Sequence, residues 1–138
     1  MKKKKILVVC GGTSSEREIS LKSGKACIKA IRGLKYRILK FDPAKEDFKK
    51  IKKYNVDLIF NALHGKDGED GIAQSYFEYF NIPYTHSGIL SSMNAMDKII
   101  SKKIFIKNKI KTPAFIELNL INYISFLSKD KIPKSNLT

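Results

Sequence analysis

Hydrophobic positions over the first 110 residues alternate between short unbroken runs and stretches with helical spacing. Apolar runs at 5–10, 36–41 and 58–63 predict three strands, and a shorter one at 81–85 predicts a fourth. The unbroken first and third runs indicate strands that are buried on both faces. Because parallel strands need a crossover, usually a helix, the alternation predicts an open, mostly parallel, Rossmann-like α/β sheet with helices on both faces.

The helix after the first strand has the clearest signals. Ser15 and Glu18 have the spacing of a capping box, and Gly33 is placed to end the helix. Its predicted buried stripe consists of residues at three- to four-residue spacing: Ile19, Ser23, Ala26, Cys27, Ala30 and Ile31.

Weaker periodicity predicts the remaining elements. Helices are expected at 47–54, 72–80, 89–96 and 97–108. The helix at 72–80 is expected to bury Ile72, Tyr76, Phe77 and Phe80. A strand at 114–118 and a helix at 122–129 complete the prediction, and residues 132–138 show no clear pattern.

The loops after the first, third and fourth strands hold most of the polar chemistry. Their sequences are GGTSSERE, HGKDGEDG and THSG. Ligands in open α/β sheets bind outside the carboxyl ends of the strands, so these loops are expected to share one edge. The side chains expected near one cleft are Glu16, His64, Glu69, Asp70, His86 and Ser87.

Two features of the first loop each allow two interpretations. Gly11 and Gly12 precede a helix start and could either cradle an anion or only turn the chain, and no GxGxxG or Walker motif accompanies them. Glu16 could bind an amine or only compensate the helix dipole.

The other candidate residues also allow more than one interpretation. His64 could act as an acid, a base or a hydrogen-bond donor to a carboxylate, or be a loop histidine bonded to the backbone. Asp67, Glu69 and Asp70 could bind a cation or only shape the loop and cap the next helix. Lys98, at a helix start, could face an anionic ligand or only solvent.

Composition narrows the class of protein. The 138 residues carry a formal net charge of +14, but the basic residues are mostly lysines without a nucleic-acid-binding motif, so neither nucleic acid nor membrane is an expected partner. Cys10 and Cys27 fit no metal or redox spacing and indicate free thiols in a reducing compartment. Signal-peptide and membrane-span patterns are absent, which predicts a cytoplasmic protein.

Taken together, the loops resemble the N-terminal part of D-alanine–D-alanine ligase, an ATP-grasp enzyme. GGTSSEREIS at 11–20 is similar to that family's first-loop motif, and HGKDGEDGIAQS at 64–75 fills every defining position of its HGxxGEDGxxQ/S motif. SMNAMDK at 92–98 is similar to the segment around an ATP-contacting lysine. The resemblance covers residues 5 to about 118 and fades after that.

The resemblance implies a two-step ligation for peptidoglycan and cell-wall synthesis, which maintains cell shape. ATP, with Mg²⁺ or alternatively Mn²⁺, phosphorylates one D-alanine, and the amine of a second D-alanine attacks the acyl phosphate. By the same resemblance, Glu16 holds the first ammonium group, Ile19 lines that subsite and His64 contacts the reacting carboxylate. Lys98 faces the ATP phosphates, and homodimers form through this domain in many members.

The resemblance also implies a domain division. Residues 1–110 correspond to the N-terminal substrate domain and 111–138 to the start of the ATP-grasp domain, whose metal ligands are expected downstream. We therefore expect the 138 residues alone to be inactive. The competing interpretations are a stand-alone small-molecule-binding module without catalysis and a different ATP-grasp or amino-acid ligase, the latter disfavoured by the HGxxGEDG match.

Overall fold

The computed structural model describes residues 3–118, and the chain divides into two compact units, Met1–Met96 and Asp97–Thr138. The predicted domain boundary at 110/111 stays a prediction. The predicted helix at 122–129 lies outside the described residues, and residues 110–118 contain no assigned helix or strand.

The first unit is built on three parallel strands, β1 (Lys5–Val9), β2 (Arg37–Phe41) and β3 (Leu58–Asn61), in the spatial order β2-β1-β3. This confirms the parallel α/β sheet. The predicted fourth strand is wrong as a full strand: the described chain forms one isolated bridge there, between Ile59 and Tyr84. Two hydrogen bonds hold it, since Ile59 N–H donates to the Pro83 carbonyl at 2.8 Å and Thr85 N–H to the Ile59 carbonyl at 3.0 Å.

Helices cover both faces of this sheet, as the sequence predicts. They are α1 (Arg17–Arg32), a 3₁₀ helix (Phe48–Tyr54), α2 (Ile72–Tyr79) and α3 (Ile89–Met96). The residues of β1 that face α1 pack with its partly buried Leu21, Ile28 and Ile31. On the opposite face, β1 to β3 pack with Ile51 of the 3₁₀ helix and with Ala73 and Phe77 of α2.

The buried face of α1 differs from the predicted stripe. Ser20 and Gly24 are buried, whereas Ile19 is 52% exposed. A Cβ at Gly24 would lie 2.5 Å from Sγ of Cys10, so the helix backbone lies almost against β1. The small side chains, rather than the largest apolar ones, therefore decide which face of α1 is buried.

The predicted capping box at Ser15 is also wrong. Helix α1 has Glu16 as its N-cap residue without a side-chain capping bond. The serine that contacts the start of the helix is Ser14, whose Oγ accepts a hydrogen bond from Glu16 N–H at 3.2 Å. The predicted end at Gly33 is confirmed, because Gly33 N–H donates to the Ile31 carbonyl.

The inward face of α2 matches the expected stripe in part. Phe77 is fully buried and Tyr76 and Phe80 are partly buried against the same cluster, whereas the expected Ile72 is 42% exposed. Ala73 and Gln74, which the predicted stripe omitted, are buried as well.

The second unit contains one described helix, α4 (Lys98–Lys107). Asp97 caps its start, since Oδ1 accepts from the N–H groups of Ile99 and Ile100, both at 2.9 Å. Over the described part of the chain, no helix has the length and hydrophobicity needed to span a membrane.

Candidate functional site

The loops that follow β1 and β3 meet at the carboxyl edge of the sheet. Ser14 Oγ donates a hydrogen bond to the His64 carbonyl at 2.8 Å while it accepts one from Glu16 N–H. One hydroxyl therefore joins the two loops that the sequence predicts to converge.

Glu16 and Gly65 form the closest part of this junction. A Cβ on Gly65 would lie only 2.8 Å from Oε1 of Glu16. Gly65 also has a φ of +69°, a backbone angle that residues other than glycine rarely adopt. The absence of a side chain at Gly65 is thus what lets the Glu16 carboxylate lie beside the backbone of the histidine loop.

His64 has side-chain partners at both ring nitrogens. Nε2 lies 3.0 Å from Oγ of Ser23 on α1, and Nδ1 lies 3.6 Å from Oε1 of Glu69. The other carboxylate oxygen of Glu69 accepts from Gly65 N–H at 2.8 Å, which fixes that carboxylate. The alternative that the ring is bonded only to backbone does not describe this arrangement, because both ring partners are side chains.

An ion pair that the sequence did not predict joins the start of α1 to the residue that follows β2. Arg17 contacts Asp42 through two parallel hydrogen bonds, Nη1 to Oδ1 at 3.0 Å and Nη2 to Oδ2 at 2.8 Å. The Arg17 guanidinium holds the pKa of Asp42 down at about 2, against the opposing effect of burial, and hydrogen bonds from Gly12 and Ala44 N–H add to the lowering. A signal existed: Asp42 follows β2 directly and so lies at the same edge, although its Asp-Pro sequence indicated only a turn.

The same contacts decide between the two interpretations of Gly11 and Gly12. Gly11 N–H donates to Ser20 Oγ at 2.8 Å, and Gly12 N–H donates to Asp42 Oδ1 at 3.0 Å. Both donors that an anion would use are already bonded inside the protein. The structure thus favours the turn over the anion cradle.

Two of the three carboxylates of the glycine-rich loop hold the loop itself, and the third, Asp67, accepts from Thr13 Oγ1 of the first loop at 3.4 Å. Asp70 accepts from Asp67 N–H at 2.9 Å and from Ile72 N–H at 3.2 Å. Glu69 bonds Gly65 as described above. Among residues 3–118, no three metal-ligating side chains cluster as a cation site would require. These carboxylates therefore support the structural interpretation.

Ser87 makes its described contact within its own segment, whereas His86 also contacts β3. His86 Nδ1 lies 2.9 Å from Thr85 Oγ1, its ring packs edge-on against Phe60 of β3, and the Ser87 carbonyl accepts from Ser92 Oγ at 3.3 Å. The described contacts thus join the first and third loops directly, and they join the fourth segment to β3 through the bridge at Tyr84, the ring of His86 and Thr85 Oγ1, which accepts from Asn61 N–H at 3.1 Å.

The remaining two candidate residues are Ile19 and Lys98. Ile19 is on the first turn of α1, three residues after Glu16, with about half of its surface exposed. Lys98 is the first residue of α4, in the second unit, and is exposed. Both are accessible to a ligand.

An open pocket of about 270 Å³ lies next to His64 at this edge. Its wall includes Gly11, Gly12 and Leu63. Apolar surface comes from the stacked rings of Phe48 and Tyr76, whose centroids lie 5.0 Å apart. Space for a small molecule is therefore available at the carboxyl edge.

Charge is separated between the two edges of the sheet. At the carboxyl edge, carboxylates outnumber basic side chains. These carboxylates are Glu16, Glu18, Asp42, Glu46, Asp47, Asp67, Glu69 and Asp70. At the amino edge basic side chains predominate; they are Lys3, Lys4, Lys5, Lys35, Arg37, Lys52 and Lys53. The acidic edge is suited to the ammonium group of an amino acid.

Most of this chain is similar in sequence to known D-alanine–D-alanine ligases. A family model described as "D-ala D-ala ligase N-terminus" matches residues 40–87. A D-alanine–D-alanine ligase of Pelagibacter ubique is 50% identical over 131 residues, which cover 92% of this chain and 43% of that protein. The chain therefore spans less than half the length of this relative.

Solved structures give the same result for the fold. The D-alanine–D-alanine ligase of Bacillus anthracis, crystallised with ATP, matches with a TM-score of 0.74 and 36% identity, over 92% of this chain and 44% of that one. A D-alanyl-alanine synthetase A of Vibrio cholerae matches with a TM-score of 0.77 and 30% identity, over 91% of this chain and 44% of that one.

Proposed function

Because this chain carries the N-terminal domain of D-alanine–D-alanine ligases, we propose that it contributes the binding site for the first D-alanine to such a ligase. The observation that carries the proposal is the junction of Glu16 and His64 across Gly65 at the carboxyl edge of a parallel sheet. A carboxylate and an imidazole so placed match the two charged ends of an amino acid.

In the proposed reaction, the carboxylate of the first D-alanine takes the terminal phosphoryl group of ATP, which leaves as ADP. The amine of the second D-alanine then attacks the acyl carbon, and phosphate leaves as the amide bond forms. Glu16 accepts hydrogen bonds from the first ammonium group and orients it, and Ile19 packs against the methyl group. A ring N–H of His64 donates to the reacting carboxylate, where it disperses developing negative charge.

ATP is the phosphoryl donor in this proposal, and the Bacillus anthracis relative was crystallised with it. Lys98, exposed at the start of α4, is the residue proposed to face the phosphates. Glu69 and Asp70 bond their own loop, and no step is assigned to a metal here. Magnesium, the dimer and the role in cell-wall synthesis stay predictions from the resemblance, and the cytoplasmic location stays a prediction from the sequence pattern.

The test is a hybrid ligase in which residues 1–118 of this chain replace the matching part of the Pelagibacter ubique ligase. We expect phosphate release that depends on D-alanine and ATP. Glu16→Gln is expected to raise the KM for D-alanine about tenfold or more, since it removes a charge-assisted hydrogen bond. His64→Gln is expected to lower kcat by about a hundredfold. Glu18→Gln, one helical position from Arg17 and exposed, is the matched control.

The second candidate function, a binding module without catalysis, predicts different results. It predicts a folded hybrid without ligase activity, together with D-alanine binding to the 138-residue chain measured by calorimetry. Full activity of the Glu16→Gln hybrid would contradict the assignment of the ammonium site. The 138 residues alone are expected to show no ligase activity with D-alanine, ATP and Mg²⁺.

A further inference from the structure

His64 is held between a hydroxyl and a carboxylate, one at each ring nitrogen. Ser23 Oγ lies 3.0 Å from Nε2, and Glu69 Oε1 lies 3.6 Å from Nδ1. We propose that Ser23 is a positioning residue that, together with Glu69, holds neutral His64 with its ring proton on Nδ1. The catalytic consequence of this inference rests on the proposed function, but the proton assignment does not.

Ser23 is fixed because the helix that carries it is packed tightly on the sheet. One turn earlier, Ser20 Oγ donates to the Ala62 carbonyl at 2.7 Å and accepts from Gly11 N–H at 2.8 Å. The adjacent Gly24 lies against Cys10 with no room for a side chain. The Ser23 hydroxyl is therefore presented to the ring by a helix whose position is set on both sides.

The two partners differ in what they can do with a proton. An ionised carboxylate only accepts hydrogen bonds, whereas a serine hydroxyl can donate or accept. With the proton on Nδ1, the N–H points toward Glu69 and the lone pair of Nε2 accepts from Ser23. With the proton on Nε2, the lone pair of Nδ1 would face the negative charge of Glu69, which is repulsive.

Glu69 cannot easily turn away to avoid this choice. Its Oε2 accepts from Gly65 N–H at 2.8 Å, so the carboxylate is anchored to the backbone that follows His64. The electrostatic preference at Nδ1 is therefore built into the loop, and Ser23 completes it at Nε2.

The distances also indicate which nitrogen is available to a ligand. The 3.0 Å contact at Nε2 is within hydrogen-bond range, whereas the 3.6 Å separation at Nδ1 is too long for a good hydrogen bond. The proton on Nδ1 is thus oriented but only weakly engaged. Within the proposed function, this is the proton that His64 donates to the carboxylate of D-alanine.

The chain offers a direct test, because it has only two histidines. Two-dimensional ¹⁵N–¹H spectra of the imidazole rings, recorded on this chain at alkaline pH, distinguish the two neutral tautomers. We expect the Nδ1–H form for His64. In Glu69→Gln we expect the ratio of Nδ1–H to Nε2–H to fall about fivefold, because the charge that favours a proton on Nδ1 is lost. His86, which contacts Thr85 instead, is the internal control and is expected to be unchanged.

Two further variants keep the test decisive. Ser23→Ala removes a hydroxyl that can pair with either tautomer and is expected to change the ratio by less than about twofold, whereas Ser15→Ala removes an exposed hydroxyl from the loop before α1 and is expected to have no effect. An Nε2–H form of His64 in the unmodified chain, or an unchanged ratio in folded Glu69→Gln, would overturn the proposal. The first of these outcomes needs no variant to fold.

The hybrid ligase separates this inference from the proposed function. If both hold, Ser23→Ala lowers kcat about tenfold, through a misoriented donor, with a smaller change in KM. An inactive hybrid together with the Nδ1–H tautomer would overturn the function and support the tautomer assignment. An active hybrid whose kcat is insensitive to Ser23→Ala would overturn the positioning role.

Discussion

Arg17 and Asp42 face each other through two hydrogen bonds, of 3.0 and 2.8 Å, although 25 residues separate them in the chain. The Asp42 side chain is 8% exposed and also accepts from Gly12 N–H, so one carboxylate ties the end of β2 to the first loop. Because that loop leads into Glu16, the ion pair supports the candidate site without touching a ligand.

The first prediction follows from the pKa of Asp42, which lies at about 2 instead of 3.8. A carboxyl group with a lowered pKa in the folded state stabilises the protein above its unfolded pKa, and this contribution is lost as the pH falls from about 4 to about 2. Asp42→Asn is expected to lower the free energy of unfolding by about 2 kcal/mol at pH 7. Urea unfolding at several pH values measures this.

The matched control for this prediction is Glu18→Gln, an exposed carboxylate in the first turn of the same helix. Its loss is expected to cost only a few tenths of a kcal/mol, roughly the strength of a helix-dipole interaction. A cost of Asp42→Asn that stays the same down to pH 2 would show that the charge of Asp42 is not what stabilises the loop.

The second prediction concerns Gly65, where the φ of +69° and the nearby Glu16 carboxylate both exclude a side chain. Gly65→Ala is expected to cost about 1–2 kcal/mol of stability from the backbone conformation. It is also expected to displace Glu16 and raise the KM for D-alanine in the hybrid ligase. Gly88→Ala, at a site without positive φ and with its nearest atom at 3.6 Å, is expected to change neither quantity.

The third prediction concerns the contact between α1 and β1. Gly24→Ala is expected to destabilise the protein by about 1–3 kcal/mol because the added methyl group would overlap Cys10. Helix propensity alone predicts the opposite sign, a gain of up to about 1 kcal/mol. Gly33→Ala, at the end of the same helix with nothing closer than 3.8 Å, is the control and is expected to be close to neutral. Thermal unfolding of both variants decides between the two expectations.

The fourth prediction concerns Tyr84, whose hydroxyl donates to Glu78 Oε1 at 2.6 Å. Burial, and secondarily the Glu78 carboxylate, raise the pKa of Tyr84 from 10 to about 12. A raised pKa in the folded state stabilises the protein below pH 10, and this contribution is lost as the pH rises toward 12. The difference in phenolate absorbance between the unmodified chain and Tyr84→Phe reports this titration.

Removing the carboxylate tests the cause of the Tyr84 shift. Glu78→Gln is expected to lower the pKa of Tyr84 only partway, because burial is the larger cause. Glu46→Gln removes a carboxylate that accepts from Tyr54 instead and is expected to leave Tyr84 unchanged. No change in Glu78→Gln would assign the whole shift to burial.

The hydrophobic pattern was sufficient to predict the three parallel strands, the helices and the convergence of the first and third loops. It was insufficient for the orientation of α1, because periodicity counts apolar residues, whereas this interface depends on the small volumes of Ser20 and Gly24. It overestimated the fourth strand, where the chain makes a single bridge at Tyr84.

The candidate site was likewise predictable in part: the meeting of its loops was, and the pairing of its side chains was not. Glu16 and His64 were identified as neighbours from the order of strands and loops, and the structure brings their loops together through Ser14. The pairings of Arg17 with Asp42 and of Ser23 with His64 were missed, since they join side chains across a crossover and depend on distances that one-dimensional patterns do not contain.

The separation of charge between the two edges of the sheet gives the first unit a directed electric dipole moment. Although the chain as a whole carries a net charge of +14, a cationic group that approaches the carboxyl edge of this unit meets mainly carboxylates. The field at that edge therefore guides an ammonium group inward along one direction, and added salt weakens this guidance.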